Sequence, residues 1–151
     1  AMAVPRLVVI SPGPGAPADA GNTLELIRAL GDDVPIFGVC LGLQCLVEAA
    51  GGVVGPAGEV VHGKAGVIGL VDDGGALAGM PDPFRAGRYH SLVATTMPEV
   101  MRVTARCGDL VMAAEHVDRP WLGVQFHPES ILTPEGGRLL DLVIEWAAQR
   151  S

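Results

Sequence analysis

The sequence predicts an α/β fold, with an open, mostly parallel sheet and flanking helices. Two apolar runs, residues 5–10 and 35–39, have the length and composition of buried strands, and a helical segment follows each of them. This order of strand, loop, helix, strand, turn and helix is typical of parallel strands joined by right-handed crossovers. We expect residues 1–151 to form one domain, since the length fits one and no linker or repeat interrupts the chain.

A rigid loop and a short helix are predicted after the first strand. Two prolines and two glycines within residues 11–15 exclude regular structure there. Asn22 is a suitable N-cap for an amphipathic helix over residues 23–30, and Gly31 would stop that helix.

The second strand leads into a predicted helix over residues 41–50, which ends at a pair of glycines. Beyond residue 52 the pattern changes to short β-like runs, and a last helix is expected over residues 134–148. The predicted strands of this second part are residues 59–61, 66–71, 89–95, 100–107, 111–116 and 122–126.

The charge and hydropathy of the chain argue against several classes of function. The formal net charge is −7 and the few basic residues are scattered, which argues against binding to nucleic acid or to an anionic membrane. No apolar stretch is long enough to span a membrane and no signal pattern opens the chain, so we expect a cytoplasmic protein. Only 18% of the residues are charged, which indicates that a partner covers some apolar surface.

The cysteines and histidines predict neither a disulfide framework nor a metal site. An odd count of three cysteines without a CxxC pair fits free thiols in a reducing compartment. The four histidines lack the spacing of zinc ligands.

The strongest catalytic signal is Gly-Val-Cys-Leu-Gly at residues 38–42, where the second strand meets its helix. The form G-x-C-x-G matches a nucleophile elbow, in which a strained turn exposes the nucleophile and small neighbours let strand and helix approach. A cysteine in an apolar segment is otherwise more often a packing residue, and we assign Cys45 and Cys107 to that role. At the helix N-terminus, the dipole and free amides are expected to lower the pKa of Cys40.

A candidate base follows the last predicted strand, in Gln-Phe-His-Pro-Glu-Ser at residues 125–130. A thiol nucleophile needs a base that takes its proton and returns it to the leaving amine. His127 fits that role and Glu129 fits the role of the acceptor that orients the base. Taken alone, the segment is more often a polar surface loop.

The loop over residues 11–15 lacks the Lys and the Ser/Thr of a phosphate-binding loop. Its backbone could instead donate to a developing oxyanion, and because Pro12 and Pro14 have no N–H, the usable amides are those of Gly13 and Gly15. The amide of Leu41, directly after the nucleophile, is the natural second donor. Without that context the loop is equally well a tight turn.

Five segments occur here in the order that they have in class I (triad) glutamine amidotransferases, which the chain resembles over residues 4–149. Three of the segments are most similar to the glutaminase component of anthranilate synthase and to its sister, that of aminodeoxychorismate synthase. The resemblance implies the flavodoxin-like α/β fold of that family. The five segments are Ser-Pro-Gly-Pro-Gly (11–15), Gly-Val-Cys-Leu-Gly-x-Gln (38–44), His-Gly-Lys (62–64), Arg-Tyr-His-Ser-Leu (88–92) and Gln-Phe-His-Pro-Glu-Ser (125–130).

The resemblance implies a reaction and a set of site residues. Cys40 would attack the side-chain amide of glutamine and form a glutamyl thioester, while His127 shuttles the proton and Glu129 orients the imidazole. The amides of Gly13 and Leu41 would stabilise the oxyanion. The implied substrate-binding residues are Gln44, Ser91 and Leu92.

The resemblance also implies a partner, a chorismate-binding synthase subunit or domain (component I) that receives the ammonia, as in tryptophan biosynthesis. No metal and no organic cofactor is implied for the glutaminase half. The chain departs from the family at Leu43, where members usually have His, but this position is outside the triad and we expect activity to survive. Family members also begin two strands and a helix earlier, so we expect an N-terminal strand–helix–strand unit to be missing here.

Three alternatives remain open at this point. The glutaminase of aminodeoxychorismate synthase, in folate biosynthesis, differs only in its partner and product. A catalytically silent module that binds and regulates a synthase would not need the complete set of Cys40, His127 and Glu129. Another cysteine hydrolase, such as a γ-glutamyl hydrolase, would not need the segments at residues 62–64 and 88–92.

Overall fold

The computed structural model describes residues 4–30 and 32–150, which form one seven-stranded sheet and three α-helices. The predicted α/β fold with an open sheet and flanking helices is confirmed. The strands are β1 (Val8–Ile10), β2 (Ile36–Val39), β3 (Val53–Leu70), β4 (Phe84–Thr96), β5 (Met101–Cys107), β6 (Leu110–His116) and β7 (Trp121–Val124). The helices are α1 (Thr23–Leu30), α2 (Leu41–Ala49) and α3 (Gly136–Ala148).

Parallel pairing is found at one end of the sheet, whose order is β1-β2-β7-β6-β5-β3-β4. Strand β2 lies between β1 and β7 and is parallel to both, with Phe37 opposite Val9 on one side and Leu122 on the other. All residues of β2 and β7 are buried, as expected for apolar runs that are covered on both faces.

The rest of the sheet is antiparallel, so the sheet is mixed where the sequence indicated a mostly parallel one. The cause is the length of the connections. Only Gly108 and Asp109 join β5 to β6, and Gly108 has a φ of +58°. Two residues can join antiparallel neighbours, whereas parallel strands need a crossover of a dozen or more residues.

Strand β3 is one continuous element where the sequence predicted two short strands. It pairs with β4 along most of its length, with register shifts near Pro56 and His62, and joins the main sheet only where Gly69 and Leu70 pair with β5. This long hairpin places β4 beside the loop that follows β7, where Gly87 and His127 form an isolated bridge.

The three helices lie on the two faces of the sheet and cover separate cores. Helices α1 and α2 bury Ile27, Leu43 and Leu46 on one face. Helix α3 buries Val143 and Trp146 on the other. The predicted bounds of α1 are confirmed, but the predicted stop at residue 31 lies outside the described residues. Helix α2 ends one residue earlier than predicted, before Gly51 with its φ of +97°.

Strand β1 lies at an edge of the sheet, beside an apolar groove of about 370 Å³ that runs between β1, β2 and α3. Val9 and Ile144 line this groove and are 57% and 60% exposed. The groove accounts for part of the exposed apolar surface that the low content of charged residues predicts. No α-helix among residues 4–30 and 32–150 is long and apolar enough to cross a membrane.

Candidate active site

Cys40 occupies a strained turn between β2 and α2. Its φ is +55° and its ψ is −104°, a conformation that a residue with a side chain rarely adopts. The backbone N–H of Cys40 donates to the carbonyl of Val124 at 2.8 Å, which ties the turn to β7. A strained conformation of this kind costs about 1–3 kcal/mol and persists only where the surroundings enforce it. The elbow geometry predicted for residue 40 is therefore present.

The glycines on either side of Cys40 are required by close backbone contacts. A Cβ at Gly38 would lie 2.4 Å from the carbonyl carbon of Gly42. A Cβ at Gly42 would lie 2.3 Å from the carbonyl oxygen of Ile10 in β1. Strand β2, helix α2 and strand β1 thus meet without room for a methyl group, which is the steric reason for the G-x-C-x-G spacing.

His127 and Glu129 face each other on the loop after β7. The distance between Nδ1 of His127 and Oε2 of Glu129 is 2.8 Å. An ionised carboxylate only accepts hydrogen bonds, so Nδ1 carries the proton when the ring is neutral, and Nε2 is left as the basic nitrogen. Nε2 is buried and has no hydrogen-bond partner among the described residues.

The backbone of His127 is held on both sides. Its N–H donates to the carbonyl of Gly87 in β4 at 2.9 Å, and its carbonyl accepts from Oγ1 of Thr133 at 2.6 Å. The Tyr89 ring packs edge-on against the imidazole, with 4.9 Å between the ring centroids, and its hydroxyl lies 3.0 Å from Oγ of Ser130. Tyr89 and Thr133 had no predicted role, although Tyr89 belongs to the segment over residues 88–92.

A cavity of about 150 Å³ opens in front of Cys40. It brings together three parts of the chain that are distant in sequence: the loop after β1, the elbow and strand β4. Five of the predicted site residues contribute to it, namely Gly13, Cys40, Gln44, Ser91 and Leu92, and the remaining lining residues are Pro14, Gly15, Tyr89 and His90. Its size suits a small amino acid better than a larger cofactor.

Leu41 contributes to the site through its backbone. Its amide donates to the sulfur of Cys40, and its side chain would be 3.2 Å from a Cβ placed on Gly13. The two predicted oxyanion donors, Gly13 and Leu41, are therefore neighbours at the elbow. Their proximity is compatible with a shared oxyanion site.

Gln44 is linked to both neighbouring segments of the site. Its Nε2 donates to the carbonyl of Leu92 at 3.0 Å and to Oε1 of Gln125 at 3.1 Å. Gln125 in turn donates from Nε2 to the Cys40 sulfur at 3.4 Å, and its side chain is fully buried. Gln125 had no predicted role. Its position two residues before His127 was the only sequence signal that could have identified it.

The predicted lowering of the Cys40 pKa is wrong in its net direction. Burial raises the pKa of the thiol, which outweighs the opposite effects of the Leu41 amide and the Gln125 side chain on that pKa. The negative charge of Glu129 raises the pKa further. In this state the thiol is favoured over the thiolate, so the proton must be removed by a base during the reaction.

His90 lies beside the cavity as a neutral ring. Burial, together with the charges of Arg88 and His127, lowers the pKa of His90 to about 4. Nε of Arg88 donates to Nε2 of His90 at 3.2 Å, so the ring proton belongs on Nδ1. His90 is therefore uncharged at neutral pH.

The cysteines and the possible metal ligands can be compared with the sequence-based predictions. Cys40, Cys45 and Cys107 are all free thiols, and Cys45 is a buried residue of α2. Among the residues that the structure describes, no group of three or more His, Cys, Asp or Glu side chains is arranged to hold a metal ion.

Comparison with known proteins gives consistent matches. The family model "Glutamine amidotransferase class-I" matches residues 2–146. The chain is 46% identical over 145 residues to an anthranilate synthase component 2 of Vibrio parahaemolyticus, covering 96% of this chain and 74% of the relative. It is 50% identical over 131 residues to an anthranilate synthase component 2 of Methanocaldococcus jannaschii, covering 85% of this chain and 65% of that relative, just under two thirds of its length.

Solved structures match the fold at lower sequence identity. A glutamine amidotransferase of Thermotoga maritima superposes with a TM-score of 0.74 at 21% identity, covering 95% of this chain and 63% of that chain. A GMP synthase subunit protein of Thermoplasma acidophilum superposes with a TM-score of 0.85 at 22% identity, covering 95% of this chain and 73% of that chain. Together with the family match over nearly its whole length, these comparisons mean that the chain belongs to the class-I glutamine amidotransferase family.

Proposed function

We propose that this protein hydrolyses glutamine to glutamate and ammonia through a thioester on Cys40, and that it delivers the ammonia to a synthase that aminates chorismate. The observation that carries the proposal is the strained elbow of Cys40, which opens on a cavity lined by Tyr89, whose ring packs against the imidazole of the His127–Glu129 pair. A thiol on such a turn, next to an oriented imidazole, is suited to acyl transfer.

The reaction would proceed in two halves. Nε2 of His127 takes the thiol proton while the Cys40 sulfur attacks the side-chain carbonyl carbon of glutamine, and a C–S bond forms. The C–N bond then breaks, and His127 returns the proton to the nitrogen, which leaves as ammonia. In the second half, water gives a proton to His127 and attacks the thioester carbon. The C–S bond then breaks, glutamate is released, and His127 returns the proton to the sulfur, which restores the thiol.

Charge that develops on the carbonyl oxygen needs fixed donors. The amides of Gly13 and Leu41 are proposed to supply them, since Gly13 lies close to Leu41 and neither donor requires a side chain. One donor of this kind contributes about 100- to 1,000-fold to the rate in known acyl-transfer sites. Glu129 would keep the ring of His127 oriented and stabilise its cationic form.

Substrate glutamine is proposed to occupy the cavity in contact with Gln44, Ser91 and Leu92. Gln44 is 3% exposed and already joined to Leu92 by a hydrogen bond, so the two residues form one rigid wall. Backbone and amide groups can hydrogen-bond the α-amino and α-carboxylate groups of an amino acid, whose opposite charges offset each other.

The synthase partner is inferred from the relatives. Several anthranilate synthase components 2, from bacteria and an archaeon, are 42–50% identical to this chain over most of its length. We therefore infer a place in tryptophan biosynthesis, with component I as the acceptor of ammonia. The three free thiols support the finer inference of a cytoplasmic location, since disulfides form mainly in oxidising compartments.

Replacement of Cys40 by alanine tests the proposal in the complex with the chorismate-binding synthase. We expect glutamine-dependent anthranilate formation to be lost and ammonia-dependent formation to persist. Cys45→Ala, which alters a thiol that does not line the cavity, serves as the matched control and should keep both activities. Continued use of glutamine by the Cys40→Ala complex would show that the nucleophile is assigned to the wrong residue.

A further inference from the structure

A buried amide joins the nucleophile to the wall of the cavity. The side chain of Gln125 is fully buried, donates from Nε2 to the Cys40 sulfur at 3.4 Å and accepts from Nε2 of Gln44 at 3.1 Å. Gln44 is tied in the same way to the carbonyl of Leu92. Because Gln125 lies behind Cys40 and Gln44, it can act on the reaction only through these two residues.

The sulfur and the base are not engaged with each other in this structure. The Cys40 sulfur accepts hydrogen bonds from Gln125 and from the Leu41 amide. Nε2 of His127 is buried, and among the described residues nothing hydrogen-bonds to it. A buried acceptor without a partner is unfavourable. The arrangement therefore describes a resting site, in which Gln125 and not His127 holds the sulfur.

We propose that Gln125 is a positioning residue of the glutaminase reaction, which holds the Cys40 sulfur in its resting place and couples that place to the occupation of Gln44. The proposal rests on the function proposed above for Cys40. It adds a fully buried residue that does not line the cavity.

The coupling follows from the number of donors on Gln44. Its amide nitrogen has two hydrogens, and both are used, one by Leu92 and one by Gln125. Gln44 thereby fixes the orientation of the Gln125 amide, with Oε1 towards Gln44 and Nε2 towards the Cys40 sulfur, so a substrate that rests against Gln44 keeps the donor on the sulfur. Loss of the Gln44 contact would leave buried Oε1 without a donor, and the amide would reorient and withdraw its N–H from the sulfur.

The same contact sets how readily the thiol loses its proton. A donor aimed at the sulfur stabilises the thiolate more than the thiol. Without the Gln125 donor, only the Leu41 amide would oppose the effect of burial, so ionisation of Cys40 would be less favourable still. Hydrogen bonds to charged groups are strong enough to move a pKa by about one to two units.

The experiment measures the pH at which Cys40 reacts half-maximally with iodoacetamide, followed on its own peptide by mass spectrometry. Gln125→Glu keeps an acceptor for Gln44 but removes the donor to the sulfur, and Gln125→Met removes both. Gln149→Glu makes the same chemical change on an exposed residue of the helix end and is the matched control. Unfolding midpoints of all variants are recorded beside the labelling.

We expect the half-maximal pH to rise by about one to two units in both Gln125 variants and to stay unchanged in Gln149→Glu. In the complex, kcat at neutral pH should fall about 10- to 100-fold, and it should recover as the pH is raised. KM for glutamine should change less than threefold in Gln125→Glu and rise in Gln125→Met, where Gln44 also loses its partner.

An unchanged labelling pH in both variants would overturn the proposal. So would loss of folding in both, because Gln125 would then be a packing residue and nothing more. The labelling requires no glutamine turnover, so a wild-type protein that fails to hydrolyse glutamine would contradict the proposed function without affecting this measurement.

Discussion

Replacing Gly38 with alanine tests whether the close approach of β2 and α2 positions the nucleophile. The new Cβ would lie 2.4 Å from the carbonyl carbon of Gly42 and 2.7 Å from the backbone nitrogen of Leu43, whereas ordinary contact begins at 3.4 Å. These are backbone atoms that cannot rotate away. The start of α2 must therefore retreat by about 1 Å, and it carries the Leu41 amide and the Cys40 sulfur with it.

Two magnitudes follow from that displacement. Overpacking of this kind lowers the free energy of unfolding by about 1–3 kcal/mol. A misplacement of about 1 Å lowers activity by about 100-fold. Denaturant unfolding measures the first, and glutamine-dependent turnover in the complex measures the second.

The matched control for this prediction is Gly137→Ala in the first turn of α3, where a Cβ would meet nothing within 4 Å. That variant should gain about 0.5–1 kcal/mol, because alanine loses less backbone entropy than glycine in a helix. A Gly38→Ala protein with the stability and turnover of the wild type would refute the steric reasoning.

Two further substitutions address the electrostatics of the site. Glu129→Gln should lower kcat for glutamine by about 100-fold, the lower end of general acid–base effects, because the Glu129 side chain is 56% exposed and water can partly replace it. The KM for glutamine should stay within threefold of the wild-type value. An unchanged kcat would contradict the orienting role of Glu129. The pKa of His90 is lowered from 6.5 to about 4, so the unfolded chain binds more protons in that window and stability falls as the pH drops through it. Between pH 7 and pH 4.5, His90→Asn should lose roughly 1 kcal/mol less unfolding free energy than the wild type, after allowing for solvent screening. Denaturant titrations at the two pH values measure both losses, and equal losses in variant and wild type would contradict this.

Sequence patterns were sufficient wherever the decisive interactions are local. The bounds of α1 follow from its amphipathic pattern, and the elbow follows from glycines two residues on either side of Cys40. The His127–Glu129 contact lies within one loop that Pro128 constrains, so it too could be predicted. In each case the interacting residues are within a few positions of each other, and steric rules for short segments apply.

Sequence patterns did not predict strand pairing, because pairing depends on distant parts of the chain. A run of alternating residues does not reveal which strand it joins, and the length of the following connection decided that β5 and β6 are antiparallel. The two predicted strands over residues 59–61 and 66–71 became one, because β4 supplies a partner along most of β3.

The sequence by itself determined the family, the α/β class and the local chemistry of the nucleophile and its base. Only the tertiary structure decided the state of the nucleophile. Desolvation of Cys40 sums over neighbours from many segments, and it reverses the pKa shift that the helix N-terminus alone would produce. The contacts of Gln125 with Gln44 and Cys40 span 81 and 85 residues. Interactions over such separations exist only once the chain has folded, because chain connectivity does not bring these side chains together.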